Sequence, residues 1–142
     1  MSEPGVADAV AKAVLENKYA LIVVNFANGD MVGHTGNLEA AVKAIEAVDA
    51  GVKKIAEAAD KTGAVMVITA DHGNSDQLFE PSINEPHTRH TMNPVEVIIY
   101  GKGMEGLKLR QGGNLGDIAP TVLQLMGLKP PAEMTGKSLI IQ

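Results

Sequence analysis

The chain contains no cysteine and no tryptophan, and aromatic residues make up only 3% of its 142 positions. Without cysteine there is no disulfide and no thiolate ligand, so any bound metal must be held by imidazole, carboxylate or other oxygen donors. With so few aromatics, the core has to be built from Val, Ile, Leu, Ala and Met, a composition suited to buried parallel strands with helices against them. Excess positive charge is also missing. The formal net charge is -5 and the sequence pI about 5.3, which argues against the clustered Lys and Arg of a nucleic-acid or anionic-lipid surface. Long apolar runs are absent too: the longest, Ala20 to Val24, is far short of the roughly 20 residues of a membrane span. No signal peptide opens the chain, and a cytoplasmic location is expected.

What is present suits one domain, 1–142, with 45% hydrophobic residues to form a single core. Ser2 is placed to cap a first helix with Val6, Val10 and Val14 at four-residue spacing, ending near Asn17. Tyr19 to Phe26 (YALIVVNF) reads as a buried strand, and Asn28, Gly29 and Gly33 mark a loop after it. Asn37 can cap a long helix whose stripe is Leu38, Ala41, Ile45, Val48, Val52, Ile55 and Ala59, with Gly63 just past its end. Ala64 to Ala70 (AVMVITA) is a second buried strand. Strand, loop, helix and strand in that order predict two parallel strands joined by a right-handed crossover. A polar, proline-containing excursion over 75–93 precedes a third strand at Val95 to Tyr100. A short edge strand at Leu107 to Leu109, a helix over Asp117 to Met126 stopped by Gly127, and a last strand at Leu139 to Ile141 complete the pattern.

The polar residues with chemical potential cluster just after predicted strands, where open α/β sheets bind ligands. In Asn25 to Gly36 (NFANGDMVGHTG), Asp30 and His34 stand four residues apart, so one helical turn would aim both at one point. Asp71 and His72 open the turn after the second strand. His87 and His90 lie in the polar excursion and complete the set of four histidines. Any one cluster alone is equally readable as an Asx turn, a helix cap or a surface histidine. Together they favour a site for Mn²⁺, Zn²⁺ or Co²⁺. Asp49, Asp60 and Asp76 read as solvated surface, and Asp117 as a carboxylate offsetting the dipole of the last helix. Ser75, Ser82 and Ser138 are nucleophiles on paper only.

NFANGDMVGHTG, ITADHGN, HTRHTMNPVEVIIY and GNLGDIAPTVLQLMGLKPPAEMTGKSL, in that order, resemble the phosphatase domain of the cofactor-independent (2,3-bisphosphoglycerate-independent) phosphoglycerate mutases, within the alkaline phosphatase superfamily. The resemblance runs through nearly the whole chain. It implies an α/β, alkaline phosphatase-like fold with a mostly parallel sheet flanked by helices, here as a partial domain. It further implies an isomerase of glycolysis that interconverts 3- and 2-phosphoglycerate through a phosphoserine, with two metal ions, usually Mn²⁺. On matching positions, Asp30, His34 and His90 would hold one ion, and Asp71 and His72 the other. His87 takes the first histidine position of the HTxHT pattern and is left unassigned.

In that family an early Asp and the Ser nucleophile complete the second metal site, and an inserted domain grips the substrate. The match here begins at Met1, after those segments. The expectation is therefore a C-terminal portion of the phosphatase domain without a catalytic serine, from a monomeric parent, binding metal but inactive alone. The alternatives are a portion of a phosphopentomutase or phosphatase of the same superfamily, or a self-contained metal-binding module. Neither a nucleic-acid nor a membrane partner is expected.

Overall fold

The computed structural model describes residues 3–82 and 84–141. Helix α1 spans Glu3–Glu16, and the Ser2 cap expected for it lies outside the described residues. A short helix α2, Asn28–Gly33, stands where a loop is predicted. Helix α3 runs Leu38–Thr62 and begins as expected, with the Asn37 side chain accepting from Ala40 N at 3.0 Å. It ends at Gly63, whose φ of 75° is the left-handed conformation that glycine adopts without steric cost.

α1 and α3 pack against each other, and apart from Ile55 the residues they bury are small. Ala7 and Ala11 are buried on α1; Ala41, Ala44, Gly51, Ile55, Ala58 and Ala59 are buried on α3. Leu38 and Ile45, expected in the buried stripe, are 65% and 47% exposed. Small residues let two helix backbones approach closely, and the larger side chains then fall at the margin of the contact.

The strands are short. β1 (Met66–Thr69) pairs with β4 (Val97–Tyr100), β2 (Phe79–Glu80) with β3 (Glu85–Pro86), and β5 (Lys108–Leu109) with β6 (Ile140–Ile141). All of these pairings are antiparallel, with Met66 opposite Tyr100 and Thr69 opposite Val97 in the first. The expected parallel pair does not form among the described residues. Tyr19 to Phe26 carries no strand, and Leu21 and Val23 are 55% and 85% exposed. The run is β-prone in composition, but a strand requires a neighbouring backbone to accept and donate its hydrogen bonds. β1 instead takes as its partner β4, the strand that returns after the 75–93 excursion.

A 3-10 turn at Leu115–Asp117 leads into α4, Ile118–Leu125. Asp117 stands at the start of the last helix, as expected of a carboxylate offsetting its dipole, and is also buried. Its carboxylate accepts from Asn114 N at 2.9 Å and Lys137 N at 2.8 Å and pairs with Arg110 at 2.7 Å. Those backbone bonds, from Lys137 first and then Asn114, outweigh burial and hold its pKa at about 2. Thr121 is fully buried beside it, donating to Asp117 O and accepting from Leu139 N at 2.9 Å. This network fastens the final segment to α4. No helix among the described residues is long and apolar enough to cross a membrane.

Candidate metal centre

α2 places Asp30 in its first turn and His34 at its C-cap, so the four-residue spacing sets both on one face. His34 Nε2 lies 3.2 Å from Asp30 Oδ1. The other ring nitrogen, Nδ1, is 2.8 Å from Thr88 O. A carbonyl can only accept, so Nδ1 carries a proton there and Nε2 is the nitrogen free to offer a lone pair.

His90 arrives from the excursion, with Nε2 3.0 Å from the same Asp30 oxygen. Its position is set by the bridge between Gly73 and Thr91, in which Thr91 N donates to Gly73 O at 2.8 Å. Asp76 secures the same segment, accepting from Thr91 Oγ1 and, at 2.6 Å, from Asn93 Nδ2. Asp76 is therefore more than solvated surface. The Asn93 bond is the main reason its carboxyl sits below the ordinary range.

Burial raises the Asp30 pKa, but the Asn74 hydrogen bond and then the His34, His90 and His72 imidazoles outweigh it and leave the carboxyl below its ordinary value. One donor atom from each of Asp30, His34 and His90 lies within 4.8 Å of the others. Donors held about 2.0–2.2 Å from a common ion are themselves roughly 3.0–3.5 Å apart, and the 3.0 and 3.2 Å spacings fall in that range. Two imidazole nitrogens facing one carboxylate oxygen can be bridged by a ring N–H or by a metal ion. The residues fit a divalent ion with N and O donors.

His72 and Asp71 are brought close but less tightly. The His72 ring stacks on His90 with centroids 3.8 Å apart, and its Nε2 is 4.0 Å from Asp30 Oδ1 and 3.7 Å from Asp71 Oδ1. The Asp71 side chain is 80% exposed. Asp71 and His72 thus lie beside the Asp30, His34 and His90 group without joining it. His87 stands apart, just past β3, with its backbone N donating to Leu78 O at 3.0 Å and its Nδ1 buried without a partner among the described residues. The serine hydroxyls are occupied structurally: Ser75 donates to Gly29 O at 2.7 Å, Ser82 donates to Glu80, and Ser138 accepts from Ile140 N. Asn74, to which the sequence alone assigns no role, is 5% exposed and donates to Asp30 Oδ1 at 2.7 Å. Its only signal in the sequence is its place in the same post-strand turn as Asp71 and His72.

Comparison with known proteins agrees with this chemistry. The chain is 52% identical over 141 residues to the 2,3-bisphosphoglycerate-independent phosphoglycerate mutase of Pseudomonas paraeruginosa, matching 99% of this chain and 27% of that protein. It is 48% identical to the enzyme of the same name from Chloroflexus aggregans, again over 27% of the relative. The chain thus spans about a quarter of the length of these relatives. Among solved structures, phosphoglycerate mutase from Leishmania mexicana, studied at low cobalt concentration, superposes with a TM-score of 0.88 at 34% identity, covering 99% of this chain and 28% of that one. That likeness gives the chain the alkaline phosphatase-like fold. The family model described as the metalloenzyme superfamily matches residues 1–130, and the chain belongs to that superfamily.

Proposed function

We propose that this chain is the metal-binding C-terminal portion of a cofactor-independent phosphoglycerate mutase, the enzyme that interconverts 3- and 2-phosphoglycerate. The observation that carries the reading is the convergence of His34 and His90 Nε2 on Asp30 Oδ1, at 3.2 and 3.0 Å. In this reading Asp30, His34 and His90 hold one divalent ion, Mn²⁺ in preference and Zn²⁺ or Co²⁺ as substitutes, while Asp71 and His72 contribute to a second. Bound ions of this kind supply positive charge that polarises a phosphoryl oxygen and lowers the pKa of an attacking hydroxyl. The chain's own residues do the holding. His34 is oriented by Thr88, His90 by the Gly73–Thr91 bridge, and Asp30 offers the negative charge that favours the cation.

Among the described residues no serine near the cluster is free to act as nucleophile, so the isolated chain has no mutase activity in this reading. The exposed apolar run at 19–26 is a surface that the remaining length of such an enzyme would cover. The test is a graft of this chain in place of the matching segment of the Pseudomonas paraeruginosa relative. Conversion of 3- to 2-phosphoglycerate by the graft, abolished by Asp30→Ala, is the expected result. A folded, Mn²⁺-binding graft without that activity would overturn the mutase assignment, and failure to bind Mn²⁺ would overturn the metal centre itself.

A further inference from the structure

α2 has six residues and no side-chain N-cap, far below the roughly 12–15 residues at which a helix is even marginally stable alone. Something outside it must fix the direction of Asp30. Packing against α3 supplies part of that restraint. The rest comes from two consecutive residues of the turn after β1. Ser75 Oγ donates to Gly29 O at 2.7 Å, and Asn74 Nδ2 donates to Asp30 Oδ1 at 2.7 Å.

The two bonds differ in kind. Ser75 grips backbone only, whereas Asn74 grips the carboxylate oxygen that faces the histidines. A carboxylate oxygen has lone pairs for more than one partner, so Asn74 can occupy one direction at Oδ1 and leave another toward His34 and His90. The Asn74 amide is itself held in place. Its Oδ1 is buried with no hydrogen-bond partner and packs on Gly33, where an added Cβ would fall 2.1 Å from it. An orphaned buried oxygen costs stability, and the arrangement that tolerates it is the one that turns the amide N–H toward Asp30.

We propose that Asn74 is a positioning residue for the metal centre, orienting the Asp30 carboxylate and tying the turn that carries Asp71 and His72 to the helix that carries Asp30 and His34. This rests on the reading of Asp30, His34 and His90 as a metal centre. Its consequence is that the two ligand groups move together, because Asn74 follows His72 by two residues and bonds directly to Asp30.

The experiment is titration of the purified chain with Mn²⁺, and with Co²⁺ read by its visible d–d absorption, for the parent, Asn74→Ala and Ser75→Ala, each checked for folding by circular dichroism. Outer partners of metal ligands typically alter affinity by about 10–100-fold. Asn74→Ala is expected to weaken Mn²⁺ binding within that range and to change the Co²⁺ spectrum. Ser75→Ala, which releases only a backbone carbonyl, should shift the spectrum less than Asn74→Ala does. Asn74→Ala binding within twofold of the parent, or a Co²⁺ spectrum identical to the parent's, overturns the positioning role. A parent chain that binds neither ion overturns the metal centre and this inference with it. If Asn74→Ala does not fold, Asn74→Ser, whose hydroxyl is too short to reach Asp30, is read by the same outcomes.

Discussion

Replacing Gly33 with alanine opposes two effects of opposite sign. Gly33 ends α2, and alanine in a helix is favoured over glycine by about 1 kcal/mol, so propensity alone predicts a stabilised protein. The new Cβ, however, would stand 2.1 Å from Asn74 Oδ1, 2.8 Å from Asn74 Cγ and 2.7 Å from Ser75 Oγ. Ordinary contact begins near 3.4 Å, so Asn74 must retreat by more than an ångström. It cannot do so and keep its 2.7 Å bond to Asp30, and Ser75 loses its bond to Gly29 O in the same movement. A hydrogen bond to a charged group contributes about 1.5–3 kcal/mol and a neutral one about 0.5–1.5 kcal/mol, while overpacking without movement costs about 1–3 kcal/mol. Strain and bond loss are alternatives, because relief of one causes the other. The net expectation is destabilisation of about 1–3 kcal/mol after the propensity gain. Urea unfolding with an unchanged m-value measures it. Gly29→Ala is the internal control, since its Cβ meets only the flexible tip of Ile45, at 3.2 Å. A Gly33→Ala protein as stable as its parent would refute the packing argument, and one more stable would show that propensity decides.

Thr121→Val preserves shape but removes the hydroxyl that accepts from the buried Leu139 N, leaving that N–H without its partner. The expected loss is about 1–3 kcal/mol by denaturant titration, with Thr121→Ser retaining most of the stability; a Thr121→Val protein as stable as its parent would count against the network. Asp117 should govern the acid limb. Its folded pKa of about 2 lies below the ordinary 3.8, so its contribution is complete above 3.8 and is lost as pH falls toward 2. Asp117→Asn should lower stability at neutral pH and flatten that limb in a pH series of thermal melts; an acid limb identical to the parent's would count against the assignment.

The long helix is legible in the sequence because its signals are local: Asn37 and Gly63 mark its ends by backbone chemistry that needs no tertiary partner. The Asp30 and His34 pair is legible for the same reason, since helical periodicity alone brings the two side chains together. His90 is legible only through motif resemblance. Nothing in residues 87–91 reveals that a single bridge at Thr91 carries that histidine to within 3.0 Å of Asp30. Asp76 reads as a surface group in the sequence, and Asp117 only as a helix-end carboxylate, because a carboxylate's surroundings depend on which amides reach it from distant segments. Asn93 lies 17 residues from Asp76, and Lys137 lies 20 from Asp117.

The run at Tyr19 to Phe26 is the informative failure. Its composition is that of a strand, and α1 and α3 on either side of it form as expected, yet it pairs with nothing among the described residues. Helices close their hydrogen bonds within one segment, so their formation tests only local sequence. A strand's bonds are closed by another segment, so the same quality of local signal guarantees no pairing. The residues just after this run nevertheless take their places, because α2 is fixed by Asn74 and Ser75 from the far side rather than by a sheet beneath it. The cluster of Asp30, His34 and His90 is thus assembled by side-chain latches even where the neighbouring strand has no partner, and it is on those latches that its geometry depends.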